Sequence, residues 1–144
     1  MPTTIGRITP DEVDDVLGLL AENHLPIDGL HEHLATTLVA RDDGRIVGSA
    51  AIEIYPGGAL LRSVAVVPTR QHAGLGRELT EAAIGVAREH GVRTIYLLTT
   101  TAELYFPRFG FERTTRADVP ADVQTSVEFT SACPSSATVM QKRL

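Results

Sequence analysis

The segment Gln71-His72-Ala73-Gly74-Leu75-Gly76-Arg77 carries the clearest chemical signal in the chain. It follows an apolar run over residues 60–67 and Pro68, and it leads into an amphipathic stretch. Proline lacks an N–H and ends a sheet ladder. Glycine reaches left-handed backbone angles and lets a ligand approach without a Cβ in the way. A helix opening at that point presents unpaired N–H groups and a positive dipole end, which together hold phosphate or pyrophosphate. Two other phosphate-binding loops fail on spacing. A Walker loop needs Gly-Lys-Ser or Gly-Lys-Thr, whereas Gly76 precedes Arg77-Glu78. A Rossmann fingerprint needs Gly or Ala near position 79, which is leucine, and belongs after a first parallel strand.

Other chemically capable residues give weaker signals. His24, His31 and His33 lack a helical i,i+4 pair and have no cysteine or clustered carboxylate beside them, so they read as surface residues and no metal is expected. Cys133 is the only cysteine; it excludes an intrachain disulfide and a thiolate cluster, and it reads as a packing residue. His72 lies within the glycine turn, where a backbone role with a solvated ring is expected.

These residues need elements to position them. Residues 4–8 read as a strand. Thr9-Pro10-Asp11-Glu12 then opens a helix with a capping box, and Val13, Val16, Leu17 and Leu20 form its apolar stripe. A short helix is expected over residues 30–34. Residues 37–41 and 45–55 read as strands joined by Asp42-Asp43-Gly44, a hairpin signal. Pro56-Gly57-Gly58 returns the chain into the strand at 60–67, completing an antiparallel meander. A helix over about 75–90 follows, with Leu75, Leu79, Ala82, Ala83 and Val86 on one face and Gly91 closing it. Residues 94–99 form the next strand, parallel to the one before the helix because that helix is a crossover. A short helix over 101–106 is expected to stop at Pro107. Strands near Gly110 and over 137–141 finish the chain, and residues 118–136 show no clear period beyond a short helix before Cys133.

With 144 residues, 43% of them apolar and 22% charged, the chain suits one soluble domain over residues 1–144. No apolar run reaches a bilayer span and no secretory pattern opens the chain, so a cytoplasmic protein without a membrane partner is expected. The net charge of −5 argues against a nucleic-acid partner.

In this order of elements, an α/β fold with a mixed, mostly antiparallel sheet flanked by helices, the chain resembles the GCN5-related N-acetyltransferase (GNAT) superfamily along nearly its whole length. Residues 71–76 match that superfamily's pyrophosphate motif, Arg/Gln-x-x-Gly-x-Gly/Ala, and Gly110-Phe111 matches its late Gly-Phe pair. Leu61-Arg62-Ser63-Val64-Ala65-Val66, Thr99-Thr100-Thr101-Ala102 and the tail from Glu128 to Ala137 are similar to short bacterial amino-acid N-acetyltransferases. That group includes N-acetylglutamate-synthase-like and arsenic-resistance-associated enzymes.

The resemblance implies acetyl-CoA as co-substrate and direct transfer to the primary amine of a small molecule, an amino acid or an analogue of one. Backbone N–H groups of Gln71, His72, Ala73, Gly74, Leu75, Gly76 and Arg77 would hold the pyrophosphate. Val64, Ala65 and Val66 would pair with the pantetheine arm, and a bulge near Val66 would aim an N–H at the thioester carbonyl. Glu53 is a candidate general base, against the plainer reading of a solvent-facing strand carboxylate. Many superfamily members protonate the leaving thiolate from a tyrosine four residues before the Gly-Phe pair. Here that position is Phe106, so Tyr105 serves only if the segment shifts by one residue, a turn of about 100° in a helix. Arg62 and Ser63 are candidates for binding a substrate carboxylate, although strand alternation places them on opposite faces, and a surface ion pair is the plainer role for Arg62. A homodimer is compatible with the family. A CoA-binding sensor without catalysis and a dinucleotide-binding module are the alternative functions.

Overall fold

The computed structural model describes residues 3–134 and 136–144. Its centre is a seven-stranded sheet in the order β1-β2-β3-β4-β5-β7-β6. The strands are β1 (Thr4–Arg7), β2 (Thr37–Asp42), β3 (Arg45–Tyr55), β4 (Gly58–Val66), β5 (Thr94–Thr99), β6 (Glu112–Thr114) and β7 (Thr138–Arg143). All neighbours are antiparallel except β4 and β5, which α2 (Leu75–Glu89) joins as the expected crossover. The mixed, mostly antiparallel sheet expected from the sequence is therefore present. No helix among the described residues is long and apolar enough to cross a membrane.

Each face of the sheet has its own cover. Leu75, Leu79, Ala83, Ile84 and Ala87 of α2 pack on Ala40, Val47, Ile52, Leu61 and Val66. Leu79 is wholly buried. Burial of one such leucine stabilises the fold by about 2 kcal/mol. On the other face, Val13, Val16, Leu19 and Leu20 of α1 (Val13–Glu22) pack on Val39, Ala51 and Ala65. Farther along that face, Val119 and Val123 cover Leu60, Tyr96 and Leu98.

The start of α1 follows its sequence signals. Pro10–Glu12 forms a 3-10 turn that runs into the helix, and the Thr9 N–H donates to Glu12 Oε1 at 2.9 Å. Glu12 also receives Arg41 Nε and Nη2, each at 2.6 Å, which fastens the helix start to β2. The hydrogen bonds from Arg41 hold the Glu12 carboxyl down at about 2.

Pro107 departs from expectation. It does not stop a helix; it sits in the first turn of a 3-10 segment, Phe106–Phe109, where a missing N–H costs nothing. The Ala102–Tyr105 stretch before it is a turn, in which the Tyr105 N–H donates to Ala102 O at 3.0 Å.

Candidate functional site

The site arises where β4 and β5 part. Their parallel ladder holds only at Ala59↔Ile95 and Leu60↔Tyr96, and beyond it the two strands diverge. A cleft of about 450 Å³ fills the gap, walled by Leu61–Val64 on one side and Leu97–Ala102 on the other. Asn23 to Pro26, Phe106, Glu128, Cys133 and Pro134 complete its lining.

A bulge shapes the β4 wall. Ala51 pairs with Arg62 and Ser49 with Ala65, so Ser63 and Val64 together oppose Ala50. The bulge thus lies at Ser63-Val64, two to three residues before the position expected from the sequence. Ser63 takes a φ of +59°, unusual for a residue with a side chain. The Ser49 hydroxyl donates to the Ser63 carbonyl at 2.8 Å and holds the distortion. The extra residue breaks strand alternation. Arg62 and Ser63, expected on opposite faces, consequently both line the cleft, and Arg62 Nε donates to Ser63 Oγ at 3.1 Å.

Arg62 is not the surface residue of the plainer reading. Its side chain is fully enclosed, as is that of Glu53, and Arg62 Nη1 donates to Glu53 Oε2 at 3.0 Å. Glu53 therefore does not face solvent either. It lies on β3 on the same face as Ala51, behind Arg62 and beneath the segment that carries His33, and is wholly buried. Its other oxygen accepts from the Tyr55 hydroxyl at 2.6 Å, and His33 Nε2 lies 3.7 Å away. Burial and the Glu53 carboxylate both push the Tyr55 phenol up. Glu53 is not among the cleft-lining residues, so its geometry suits positioning Arg62 rather than touching an acceptor.

Glu128, which the sequence marks only as the start of the resembling tail and not as a site residue, enters the same cluster. It opens a π-helical turn, Glu128–Ala132, and is 4% exposed. Cys133 Sγ donates to its Oε1 at 3.5 Å, and Arg62 Nη2 stands 3.7 Å from its Oε2. Burial pushes the Glu128 carboxyl up, and Arg62 offsets part of that rise. Burial and Glu128 push the Cys133 thiol up to about 12, which suits the packing role expected for it and not a nucleophile. Gly29, at φ +79°, lets the loop before His33 close over this cluster; a Cβ there would fall 2.7 Å from Val127 Cγ1. The Pro26 carbonyl in that loop accepts from Arg62 Nη2 at 3.3 Å.

The histidines separate. His24 and His31 are exposed as expected, although His24 also reaches the cleft rim, whereas His33 is half-buried against Glu53.

The glycine turn lies beyond the β4 wall. Gln71 to Gly74 are exposed, and His72 takes a φ of +65°. Gly74 stands at φ +88° as the residue before α2, and no side chain caps that helix. The first N–H groups of α2 have no intrahelical acceptor, so this end of the helix is open to an anion. Gln71 Nε2 donates to the Val66 carbonyl at 3.0 Å and ties the turn to the end of β4. Val64 lines the cleft half-buried, while Ala65 and Val66 are buried between it and the turn. Arg77 is exposed and pairs with Glu81 at 3.1 Å.

Tyr105 and Phe106 occupy different places. Phe106 lines the cleft, and Tyr105 is not among the described residues that do. The Tyr105 hydroxyl faces the first turn of α2, only 3.3 Å from where a Cβ on Gly76 would be. Its ring lies edge-on to Phe106 and Phe109, with the Arg108 guanidinium 4.4 Å from its centroid. Burial raises the phenol, so at neutral pH it is a protonated hydroxyl directed at the turn.

Comparisons with known proteins agree with this arrangement. The sequence model of the acetyltransferase (GNAT) domain matches residues 33–113. An uncharacterized N-acetyltransferase of Chlorobaculum tepidum is 31% identical over 98 residues, which cover 67% of this chain and 63% of that protein. An amino-acid acetyltransferase of Ralstonia nicotianae is 34% identical over 95 residues, covering 65% of this chain and 21% of that protein. This chain thus spans less than two thirds of either relative. Among solved structures, N-acetylglutamate synthase from Neisseria gonorrhoeae, complexed with coenzyme A and N-acetyl-glutamate, superimposes with a TM-score of 0.85 at 20% identity. That match covers 100% of this chain and 35% of the synthase. Rv2747 from Mycobacterium tuberculosis, in complex with CoA and NLQ, gives 0.82 at 22% identity over 98% of this chain and 99% of its own. At such identities the likeness is one of fold.

Proposed function

Because the chain belongs to the acetyltransferase (GNAT) family, we propose that it transfers the acetyl group of acetyl-CoA to the primary amine of a small molecule, an amino acid or amino-acid analogue. The observation that carries this reading is the cleft between the diverging β4 and β5, set beside an uncapped helix terminus. The two features suit the two ends of one ligand, a thioester in the cleft and a pyrophosphate at the turn. The fit at the turn is direct. Nothing lies within 4 Å of a Cβ built on Gly74, and Gln71 to Gly74 stand open to solvent.

In this reading the Gln71–Arg77 backbone holds the pyrophosphate, and the backbone of Val64 to Val66 directs the pantetheine arm along β4. When bound, acetyl-CoA supplies an activated acyl carbon. The bulge at Ser63-Val64 frees β4 from regular pairing where a donor to the thioester carbonyl is needed. The preference for an amino-acid acceptor is supported by the name of the Ralstonia relative and by the ligand named for the Neisseria synthase. Arg62 and Ser63 stand together in the cleft lining, which supports assigning them to an acceptor carboxylate.

One observation favours a second reading. Phe106 stands on the cleft wall, while the Tyr105 hydroxyl faces the first turn of α2 and not the cleft lining, which suits a CoA-binding sensor without catalysis. One measurement separates the readings: thiol release with a panel of L-amino acids and alkylamines occurs only in the enzyme. Stabilisation of the fold by CoA and not by NAD is expected of both, and excludes a dinucleotide-binding module. Tight CoA binding with no release on any amine overturns the transferase.

A further inference from the structure

We propose that Glu128 is the group that receives the acceptor ammonium in the cleft and takes its proton, with Arg62 and Glu53 as the residues that position it. This deepens the transferase reading and rests on it.

Three observations lead here. First, Glu128 Oε2 is buried and has no hydrogen-bond partner among the described residues; Arg62 Nη2, at 3.7 Å, is too far for one. A buried carboxylate oxygen without a donor is costly, and such atoms in folded proteins mark a missing partner. Second, Glu128 lines the cleft. Third, Glu128 has no cation of its own. Glu53 and Glu128 share one guanidinium, which bonds Glu53; the His33 ring stands 3.7 Å from Glu53 rather than at Glu128, and the remaining lining side chains are neutral or are the exposed His24. A primary ammonium supplies both what the oxygen lacks in hydrogen bonding and the cation that Glu128 lacks.

The neighbours also tune it as a base. From β4 it faces Arg62 and from β3 Glu53; Asp28 acts from the loop before His33, and Cys133 donates to the other oxygen. Its own backbone N–H is taken by Ser126 Oγ at 3.2 Å, which fixes the start of the turn. Burial lifts the carboxyl above the ordinary glutamate value, toward the pH at which an acceptor must be deprotonated. In the reaction Glu128 Oε2 takes one proton from the ammonium. The freed nitrogen lone pair forms the C–N bond with the acyl carbon, and the C–S bond breaks with its electrons on sulfur. The second nitrogen proton passes to that thiolate, giving CoA thiol and the amide. Glu128 then returns its proton to solvent. No tyrosine acid is required, which agrees with phenylalanine at position 106.

The test uses Glu128→Gln and Glu128→Asp in the whole chain. Amine binding to the CoA-saturated protein is measured by calorimetry with L-amino acids and alkylamines, beside turnover with acetyl-CoA across pH. Removal of a general base predicts a fall in kcat/KM of about 10²-fold or more for the glutamine variant. Amine affinity should fall at least about tenfold, the acidic limb of the pH profile should disappear, and the aspartate variant should recover part of the rate. Thermal stabilisation by CoA should match wild type, which verifies folding. If the wild type binds amines through Glu128 but turns none over, the transferase reading fails and the ammonium site stands. If the wild type turns over and Glu128→Gln keeps its rate and pH profile, the Glu128 assignment fails and the transferase stands. A wild type that binds no primary ammonium overturns the assignment as well.

Discussion

Replacement of Arg62 by methionine is the sharpest structural perturbation. The change keeps most of the side-chain length but removes the only guanidinium between Glu53 and Glu128. It also strips donors from Ser63 Oγ and the Pro26 carbonyl. Two lines of reasoning set the magnitude. Removing one partner of a buried pair costs about 3–5 kcal/mol. The penalty also has a ceiling, because an unpaired buried carboxylate can take up a proton instead. Protonating a glutamate of ordinary pKa at pH 7 costs about 4 kcal/mol, at about 1.4 kcal/mol per pH unit. The variant should therefore lose about 4 kcal/mol at pH 7. In the variant the stranded carboxylate has a raised folded pKa, so its stability is present below the unfolded value and lost as pH rises. The deficit should accordingly shrink to about 1 kcal/mol at pH 5. Urea denaturation of both proteins at the two pH values measures this directly. A loss below about 1 kcal/mol at pH 7, or a deficit that does not change with pH, would refute the buried-cluster argument.

Three further outcomes follow from the same structure. Glu12→Gln should destabilise the fold at neutral pH by about 1 kcal/mol, the scale of a well-formed partly exposed pair. The folded pKa of Glu12 is depressed, so its contribution is present above the ordinary value of 4.5 and fades as pH falls toward about 2; urea titrations across that window should show the two proteins converging. Glu128→Gln should be as stable as wild type or more stable at pH 7 to 8, since the raised carboxyl makes its ionised form unfavourable there, and thermal melts should show the gain vanishing in acid. Gly76→Val places a Cβ 3.3 Å from Tyr105 Oη and branches it into the anion end of α2, so CoA affinity by calorimetry should fall at least about tenfold.

Much of this was legible in the sequence because local signals and tertiary need agreed. The glycine turn, the hairpin at Asp42-Asp43-Gly44 and the capping residues around Thr9 all depend on backbone preferences of a few adjacent residues. The site was harder to read, for identifiable reasons. Period-two alternation separated Arg62 from Ser63, and only the bulge, which no composition marks, brings both to the cleft. Glu53 read as a solvent-facing carboxylate because its burial is imposed by groups distant in the chain, His33 and Arg62, which period-two alternation does not reveal. Pro107 read as a stop because sequence alone does not say whether a proline follows a helix or begins one. Glu128 opens the tail that resembles the amino-acid N-acetyltransferases, but it lies in a stretch without period, and its place in the site appears only when β4 puts Arg62 beside it. A Glu and a Cys five residues apart were visible, but nothing in that spacing pointed to a shared cleft.

The central claim is that the cleft between β4 and β5 is where an acetyl group passes to a primary amine. Incubation with isotopically labelled acetyl-CoA and the mixed amino acids and alkylamines, followed by mass spectrometry, tests it most directly. The account predicts an N-acetylated product carrying the label, formed in step with CoA thiol release and lost in Glu128→Gln. Binding of CoA with the label remaining wholly in acetyl-CoA, whatever the amine, would contradict it.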